Sequence, residues 1–299
     1  MKFPFKRNLI CFLERNLGYK DYNILNVTEG NALISELLIS RKPIAIGKLG
    51  AVENSALQNF QTHRDKKVVW SASLASSLYG NAGVFPQTEE IFNTFCLEFL
   101  DSLKHFDLLA VWFNRGEATI IKNYASQAKI TELCALEPYY HQEPWSQYLE
   151  NKKVLVIHPF TESIKQQYQH RSKLWQDNRC LPFFELDTIK VPLSDVLVKS
   201  EFENWIEALQ YMKQKMSEKE FDVAIVGAGS YSVPLVAHAK KLGKFGIHLG
   251  GATQVLFGIK GKRWDNHEIG QKFYNNSWIR PSKSETPENV SAIEEGCYW

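Results

Sequence analysis

Apolar residues in this chain alternate between two rhythms. Short apolar runs at residues 44–46, 108–113, 153–157, 223–226 and 245–249 read as strands, the one at 223–226 as a buried parallel strand, and residues 186–191 are another strand candidate. Residues 68–70 and 133–136 are weaker strand candidates. Between the runs lie segments with apolar positions at helical spacing. The strongest is residues 88–105, opened by Thr88 and carrying Ile91, Phe92, Phe95, Phe99 and Leu103 on one stripe. Others are residues 31–40, with Asn31 as the expected cap; 161–175, capped by Thr161 or Ser163; 205–216; and the segment from Pro234 to the stop at Gly243. Residues 118–138 begin as a helix, and Pro144-Trp145 precedes a further short one. Residues 71–86, rich in Ser, Gly and Asn, read as a loop with about one helical turn; within it Tyr79-Gly80-Asn81-Ala82-Gly83 is either a cleft wall or an ordinary crossover.

This alternation predicts an α/β fold with a mainly parallel sheet. It divides into Rossmann-like halves at residues 31–150 and 151–264, after an N-terminal helical segment at 1–30. Residues 265–299 are expected to pack on the domain, because an ending in Cys297-Tyr298-Trp299 gains by burial. A dimer contact is the alternative use of those aromatics.

Polar residues gather where strands end and helices begin. Val226 runs into Gly227-Ala228-Gly229-Ser230-Tyr231, and the strand ending near His248 runs into Gly250-Gly251. Small residues let backbone amides approach a ligand, helix starts favour anions, and open α/β sheets bind ligands at this edge. A nucleotide phosphate is therefore the expected ligand. The pattern lacks the later glycine of the dinucleotide fingerprint and the Walker lysine. The same kind of junction recurs at Gly47-Lys48-Leu49-Gly50, followed by Glu53 in the first turn of a helix. Glu53 either serves the helix dipole or faces a cleft to hold a metal or a sugar hydroxyl; Lys48 can meet phosphate. Asn114-Arg115-Gly116-Glu117 offers a phosphate clamp in Arg115, oriented by Glu117, or a local salt bridge. His158 is a candidate base or phosphate donor, or a histidine bound into the structure. Ser55, Ser163 and Ser230 lack a nucleophile-elbow context.

Charge and cysteines narrow the classes. A net charge of +2 over 299 residues supplies no field that argues for nucleic acid. Cys11, Cys96, Cys134, Cys180 and Cys297 show no paired metal spacing and read as reduced thiols of a cytoplasmic protein. Abundant aromatics suit a core and cleft walls that stack on sugars or bases. At the start, Lys2, Lys6 and Arg7 stand beside Phe3, Phe5, Leu9, Ile10, Phe12 and Leu13. Glu14 and Arg15 interrupt this run and no small-residue cleavage site follows, so a short amphipathic helix is expected instead of a signal peptide. It either touches a membrane surface at its inner face or docks on the domain. No later run approaches a membrane span.

The segment GKLGAVEN at residues 47–54 resembles the arginine-tyrosine-glycine-aspartate-glycine-glutamate element of the D-type glycosyltransferase fold family, whose members include proteins encoded with bacterial surface polysaccharide genes. VGAGSYSVPLVAHAKKLGKFGIHLGGATQVLFGIKGKRW is similar to that family's second nucleotide-binding half. The resemblance implies transfer of a hexose from a nucleotide sugar to a glycan or lipid-linked acceptor in surface polysaccharide (capsule or O-antigen) biosynthesis, with Mn2+ or Mg2+ near an Asp-x-Glu pair. Glu53 matches the glutamate and Lys48 takes the place of the basic residue, but Ala51 stands where the aspartate belongs, so the metal ligands are unknown. The expected donor-binding residues are Gly47, Lys48, Gly50, Arg115, Gly227, Gly229, Ser230, Tyr231, His248, Gly250 and Gly251, with Glu53 or His158 as acceptor base. The alternatives are a non-catalytic nucleotide- or glycan-binding protein of polysaccharide assembly and a sugar-phosphate-modifying enzyme.

Overall fold

The computed structural model describes residues 4–63, 68–192 and 198–299, with side chains from Leu9 onward. In chain order, α1 (Pro4–Leu13) passes through a π-helical turn at Glu14–Gly18 to β1 (Ile24–Leu25), α2 (Val27–Ile39) and β2 (Ile44–Lys48). Then come α3 (Ala51–Thr62), α4 (Ala72–Gly80), α5 (Glu89–Leu103), β3 (Leu108–Val111), α6 (Glu117–Tyr124) and β4 (Lys129–Glu132). After 3-10 turns within residues 133–149, the chain forms β5 (Lys153–His158), α7 (Thr161–Gln169), β6 (Glu185–Lys190), α8 (Trp205–Ser217), β7 (Val223–Val226), α9 (Ser232–Lys241) and β8 (Phe245–His248). The last part holds α10 (Gly251–Leu256), α11 (Lys262–Asp265), α12 (Glu268–Phe273) and further 3-10 turns.

The strands make one sheet in the order β1-β4-β3-β2-β8-β7-β5-β6, and every pairing is parallel. Parallel neighbours need crossovers, and the crossover helices cover both faces, which explains the apolar runs of the central strands β2, β3, β5, β7 and β8, whereas the edge strand β6 is partly exposed. Alternate residues feed two cores. Ala45, Leu155, Ile157, Ala224 and Val226 pack with Leu57, Phe95, Trp205 and Val236. Ile44, Ile46, Val154, Val156, Val223 and Ile225 pack with Ile34, Ile164, Val255 and Trp278 on the other side. The fold is α/β with a parallel sheet flanked by helices, as the alternating pattern indicates.

Several local expectations are corrected. The second helix starts earlier than residue 31: Asn26 caps it, accepting from Thr28 N and Glu29 N while Glu29 returns a bond to Asn26 N. Asn31 is buried and joins this helix to the chain beyond, donating to Glu143 O at 2.7 Å and accepting from Trp145 N at 3.0 Å. Residues 68–70 form no strand; the Val69 carbonyl instead accepts from Asn59. Residues 71–86 hold the nine-residue α4, capped by Ser71. The strand expected at 133–136 lies at β4, where Ile130 and Thr131 pair with Leu109 and Ala110, and residues 133–136 are a 3-10 turn. Lys2 and Phe3 lie outside the described residues, as do the side chains of Phe5, Lys6 and Arg7.

Helix α7 ends at Gln169, short of residue 175, and neither Thr161 nor Ser163 caps it. A carboxylate from the C-terminal segment does so. Glu285, 1% exposed, accepts from Glu162 N at 2.7 Å, Ser163 N at 3.2 Å and Ser163 Oγ at 2.5 Å. A buried carboxylate is matched here to the free amides and positive end of a helix. The end of the chain is drawn in with it: Trp299 Nε1 donates to Glu285 O at 2.8 Å, and its ring meets Phe160 edge-on at 5.5 Å. Glu285→Ala is expected to lower unfolding free energy by about 2–3 kcal/mol, read by urea denaturation with Trp fluorescence. A change below about 0.5 kcal/mol would show that the cap is dispensable.

Candidate functional site

The direction of the crossovers opens a crevice at the carboxyl edge of the sheet. β2 and β7 lead into α3 and α9 on one face, whereas β8, between them, leads into α10 on the other. Divergent loops at neighbouring strand ends leave space between them. Gly250 makes the turn after β8 with φ 60° and ψ −133°, a region that a side chain makes costly. A Cβ on Gly250 would stand 3.3 Å from His248 Nε2 and 3.7 Å from Lys48 Nζ. One on Gly227, after β7, would stand 2.7 Å from His158 Cδ2 and 2.9 Å from Thr253 Oγ1. These two glycines thus mark one spot bounded by the ends of β2, β8, β7 and β5.

Lys48 is its central charge. The side chain is 8% exposed, and its ammonium lies 5.5 Å from the centre of the Trp112 ring. No carboxylate forms an ion pair with it among the described residues. Burial lowers its pKa, Glu137 opposes that shift, and Arg263 adds to it.

The two histidines are neutral, with opposite tautomers assigned by their hydrogen bonds. His248 Nδ1–H donates to Lys48 O at 3.2 Å, which leaves a lone pair on Nε2. His158 Nδ1 accepts from Phe160 N at 3.0 Å, which leaves the proton on Nε2. Burial takes both down to about 3; for His248 the neighbouring Lys48 contributes as well. His158 thus presents Nε2–H as a hydrogen-bond donor, its other nitrogen being occupied by the Phe160 amide. Around these groups Thr253 Oγ1, Gln254 Oε1 and Trp112 Nε1 are buried polar atoms without a protein partner.

Glu53 reaches the edge from α3. Its carboxyl lies against the Gly50 turn, where a Cβ would stand 2.7 Å from Glu53 Cδ. Burial holds that carboxyl above its usual range, and Glu294 adds to the effect. Glu53 is only half-buried, so solvent tempers the shift. The neighbouring carboxylate Glu294 is ion-paired with Arg263, which also donates to Tyr298 OH at 3.2 Å. Among the described residues no three His, Cys, Asp or Glu side chains converge to hold a metal ion. With Ala51 lacking a donor atom and a lysine facing the spot, the residues do not fit the divalent cation that an Asp-x-Glu pair would hold.

The other expected ligands are spread between the core, the surface and the rim of the crevice. Ser230 Oγ accepts from Trp205 Nε1 at 2.8 Å, and Tyr231 stacks on the Trp205 ring at 5.1 Å; both side chains point into the core. Gly47 is a packing glycine, since a Cβ would stand 2.7 Å from the Phe106 ring. Gly229 is exposed at φ 54°, near the Ala82 carbonyl. Gly251 lies against Trp264 and Tyr298. Arg115 is exposed after β3, its carbonyl held by Asn54 and Gln58 of α3. Glu117 does not orient Arg115. It is fully buried and accepts from Trp112 N, Asn114 N and Tyr19 OH, shaping the loop beneath Trp112. Trp112, Thr253 and Arg263 were not among the expected ligands. Trp112 lies in an apolar run that reads simply as strand, and Arg263 is positioned by contacts with the distant end of the chain, its amide donating to Cys297 O.

No family model matches the chain, and the comparison with curated proteins finds no match. Among solved structures, one described as "The highly conserved domain of unknown function 1792 has a distinct glycosyltransferase fold" is similar over 94% of this chain and 96% of that chain, at 13% identity and a TM-score of 0.44. A selenomethionine-substituted structure of domain of unknown function 1792 is similar over 93% and 95%, at 12% identity and a TM-score of 0.44. At that distance the likeness carries no argument about chemistry, and the functional reading rests on the side chains above.

Two measurements follow. Gly250→Ala is expected to cost about 1–3 kcal/mol in urea denaturation, because alanine resists this backbone conformation; an unchanged midpoint would mean that the turn tolerates a side chain. For Glu117, burial raises the carboxyl from its ordinary 4.5 to about 7. Its contribution is then complete below the lower value and lost as pH rises through the upper one, by about 3 kcal/mol in all. Glu117→Gln should flatten that slope in unfolding curves taken from pH 4 to 8; a slope that persists assigns it to another group.

Proposed function

We propose that the chain is a glycosyltransferase that takes a nucleoside-diphosphate sugar at the carboxyl edge and passes the sugar to a hydroxyl of a glycan or lipid-linked acceptor, in the assembly of a bacterial surface polysaccharide in the cytoplasm. One observation carries the reading. Lys48 is a buried lysine that pairs with no carboxylate among the described residues, set beside a glycine turn and a histidine. Burying an ammonium is costly unless an anion compensates it, and a diphosphate has the charge and size to do so.

The chemistry needs three things from the chain. The developing charge on the leaving diphosphate is met by Lys48 and by the Nε2–H of His158, both held in place before the reaction. The acceptor hydroxyl gives its proton to the Glu53 carboxylate as its oxygen bonds to the sugar C1 and the C1–O bond to the diphosphate breaks. A raised carboxyl pKa brings Glu53 closer to the range useful for a general base. The partly exposed rings of Trp112 and Tyr298 offer apolar faces for a base or sugar. No step is routed through a metal.

A non-catalytic nucleotide- or glycan-binding role has one observation in its favour. Burial holds both histidines below their ordinary range and the Phe160 amide occupies His158 Nδ1, which leaves Glu53 as the principal candidate base.

Calorimetry with a panel of nucleoside diphosphates and nucleotide sugars, with and without Mn2+, tests the binding. Lys48→Met should weaken it by about 30-fold or more, the scale for losing a buried charge contact. Failure to bind any of the panel would sink the reading. Glu53→Gln should leave binding intact and reduce turnover by about 100-fold; full activity in that variant would remove Glu53 from the mechanism, and binding without turnover in the parent would favour the binding role.

A further inference from the structure

The α1 segment and the π-helical turn after it are docked with an apolar side outward. Cys11 Sγ lies 3.9 Å from Trp112 O, Glu14 accepts from Gly116 N at 3.0 Å, and Arg15 pairs with Glu132 at 2.6 Å while lying over the Phe113 ring. The residues that look away from these contacts are Leu9, Phe12, Leu13 and Leu17, between 43% and 66% exposed. A helix held only by its protein contacts would turn these four inward. Here Cys11, Glu14 and Arg15 make the contacts while these four apolar residues face solvent, an arrangement that marks an interaction surface.

Charge selects the partner. Residues 1–20 contain Lys2, Lys6, Arg7, Arg15 and Lys20 against the one acid Glu14. A helical segment with exposed leucine and phenylalanine and an excess of basic residues matches a lipid surface carrying anionic headgroups. Position adds to this. The segment is anchored on the loop after β3 and the last residue of β4, at the carboxyl edge of the sheet, and Trp112 is the residue whose carbonyl meets Cys11 and whose ring meets Lys48. Among the described residues no helix is long and apolar enough to cross a membrane, so this contact would lie in the interface.

We propose that Leu9, Phe12, Leu13 and Leu17 form a docking face for an anionic lipid surface, which holds the carboxyl edge of the sheet against the membrane. The consequence for the site, that its acceptor is lipid-linked, rests on the transferase reading; the membrane contact itself does not.

The test is sedimentation of the full chain with vesicles of phosphatidylglycerol and phosphatidylcholine, or of phosphatidylcholine alone, without any nucleotide. Binding is expected to the anionic vesicles, to weaken as salt is raised, and to be weak on neutral ones. The double variant Phe12→Glu, Leu17→Glu should lower partitioning by about tenfold or more, with circular dichroism and calorimetric nucleotide binding unchanged. Protein that stays in the supernatant with both vesicle types overturns the proposal, and so does binding that the double variant retains. A dimer seen by light scattering in the parent, abolished in the variant and accompanied by no vesicle binding, would assign the face to a second copy of the chain. Vesicle binding by a chain that binds no nucleotide would keep this inference and reject the transferase reading.

Discussion

The pairing of β2 with β8 is the contact on which the rest of the site depends. It sets Ile44, Ala45 and Ile46 beside Phe245, Gly246 and Ile247, and so carries the Lys48 carbonyl to the His248 ring across 200 positions of sequence. Each group alone is unremarkable: a lysine after an apolar strand, a histidine before two glycines. Side by side at the edge of one sheet, they set a buried lysine and an imidazole facing the same spot. Gly246 permits this closeness from the other direction, since a Cβ there would stand 2.9 Å from the Val236 carbonyl of α9.

Around that pairing the chain is closed by its last segment. Glu285 caps α7, Trp299 packs on Phe160, Gln254 Nε2 donates to Tyr298 O at 2.6 Å, and Lys262 and Arg263 donate their backbone amides to Trp299 and Cys297. The aromatic residues at the end of the chain are thus used within it, over the carboxyl edge. This closure brings Arg263, Glu294 and Tyr298 to the rim of the site and places Glu294 close enough to affect the Glu53 carboxyl. Packing that stabilises the fold and groups that shape the electrostatics of the edge are here the same residues.

The histidines illustrate how burial changes a role. A free imidazole titrates near neutrality. Enclosed between sheet and helices, both are held neutral, and the backbone atoms they meet decide which nitrogen keeps the proton: an amide at His158, a carbonyl at His248. One becomes a donor toward the crevice and the other an acceptor. Glu117 shows the same rule from the other side: burial raises it toward neutrality while two backbone amides and the Tyr19 hydroxyl keep it useful as the centre of the loop that carries Trp112.

Local chemistry in the sequence was enough for the class of fold, for the strand-end positions of Lys48, Gly227, His158, His248 and Gly250, and for Glu53 in the first turn of the helix that follows β2. Apolar runs buried on both faces require helices on either side, and glycines at strand ends announce tight turns. Sequence alone did not show that β8 inserts next to β2, because strand order is set by contacts between distant segments. For the same reason it misplaced Ser230 and Tyr231, which lie in the right turn but face Trp205 of α8, a neighbour that local pattern does not reveal. Residues 71–86 show the limit at short range, where a capping serine and packing against α3 overrode a composition that reads as loop. The helix cap on α7 was decided from more than a hundred positions away by Glu285, since an unsatisfied helix end accepts a carboxylate from wherever the fold delivers one. Periodicity and turn chemistry determined the elements; which side chains share a crevice, and which imidazole nitrogen faces it, was decided only by tertiary packing, because those depend on distance in space and on burial.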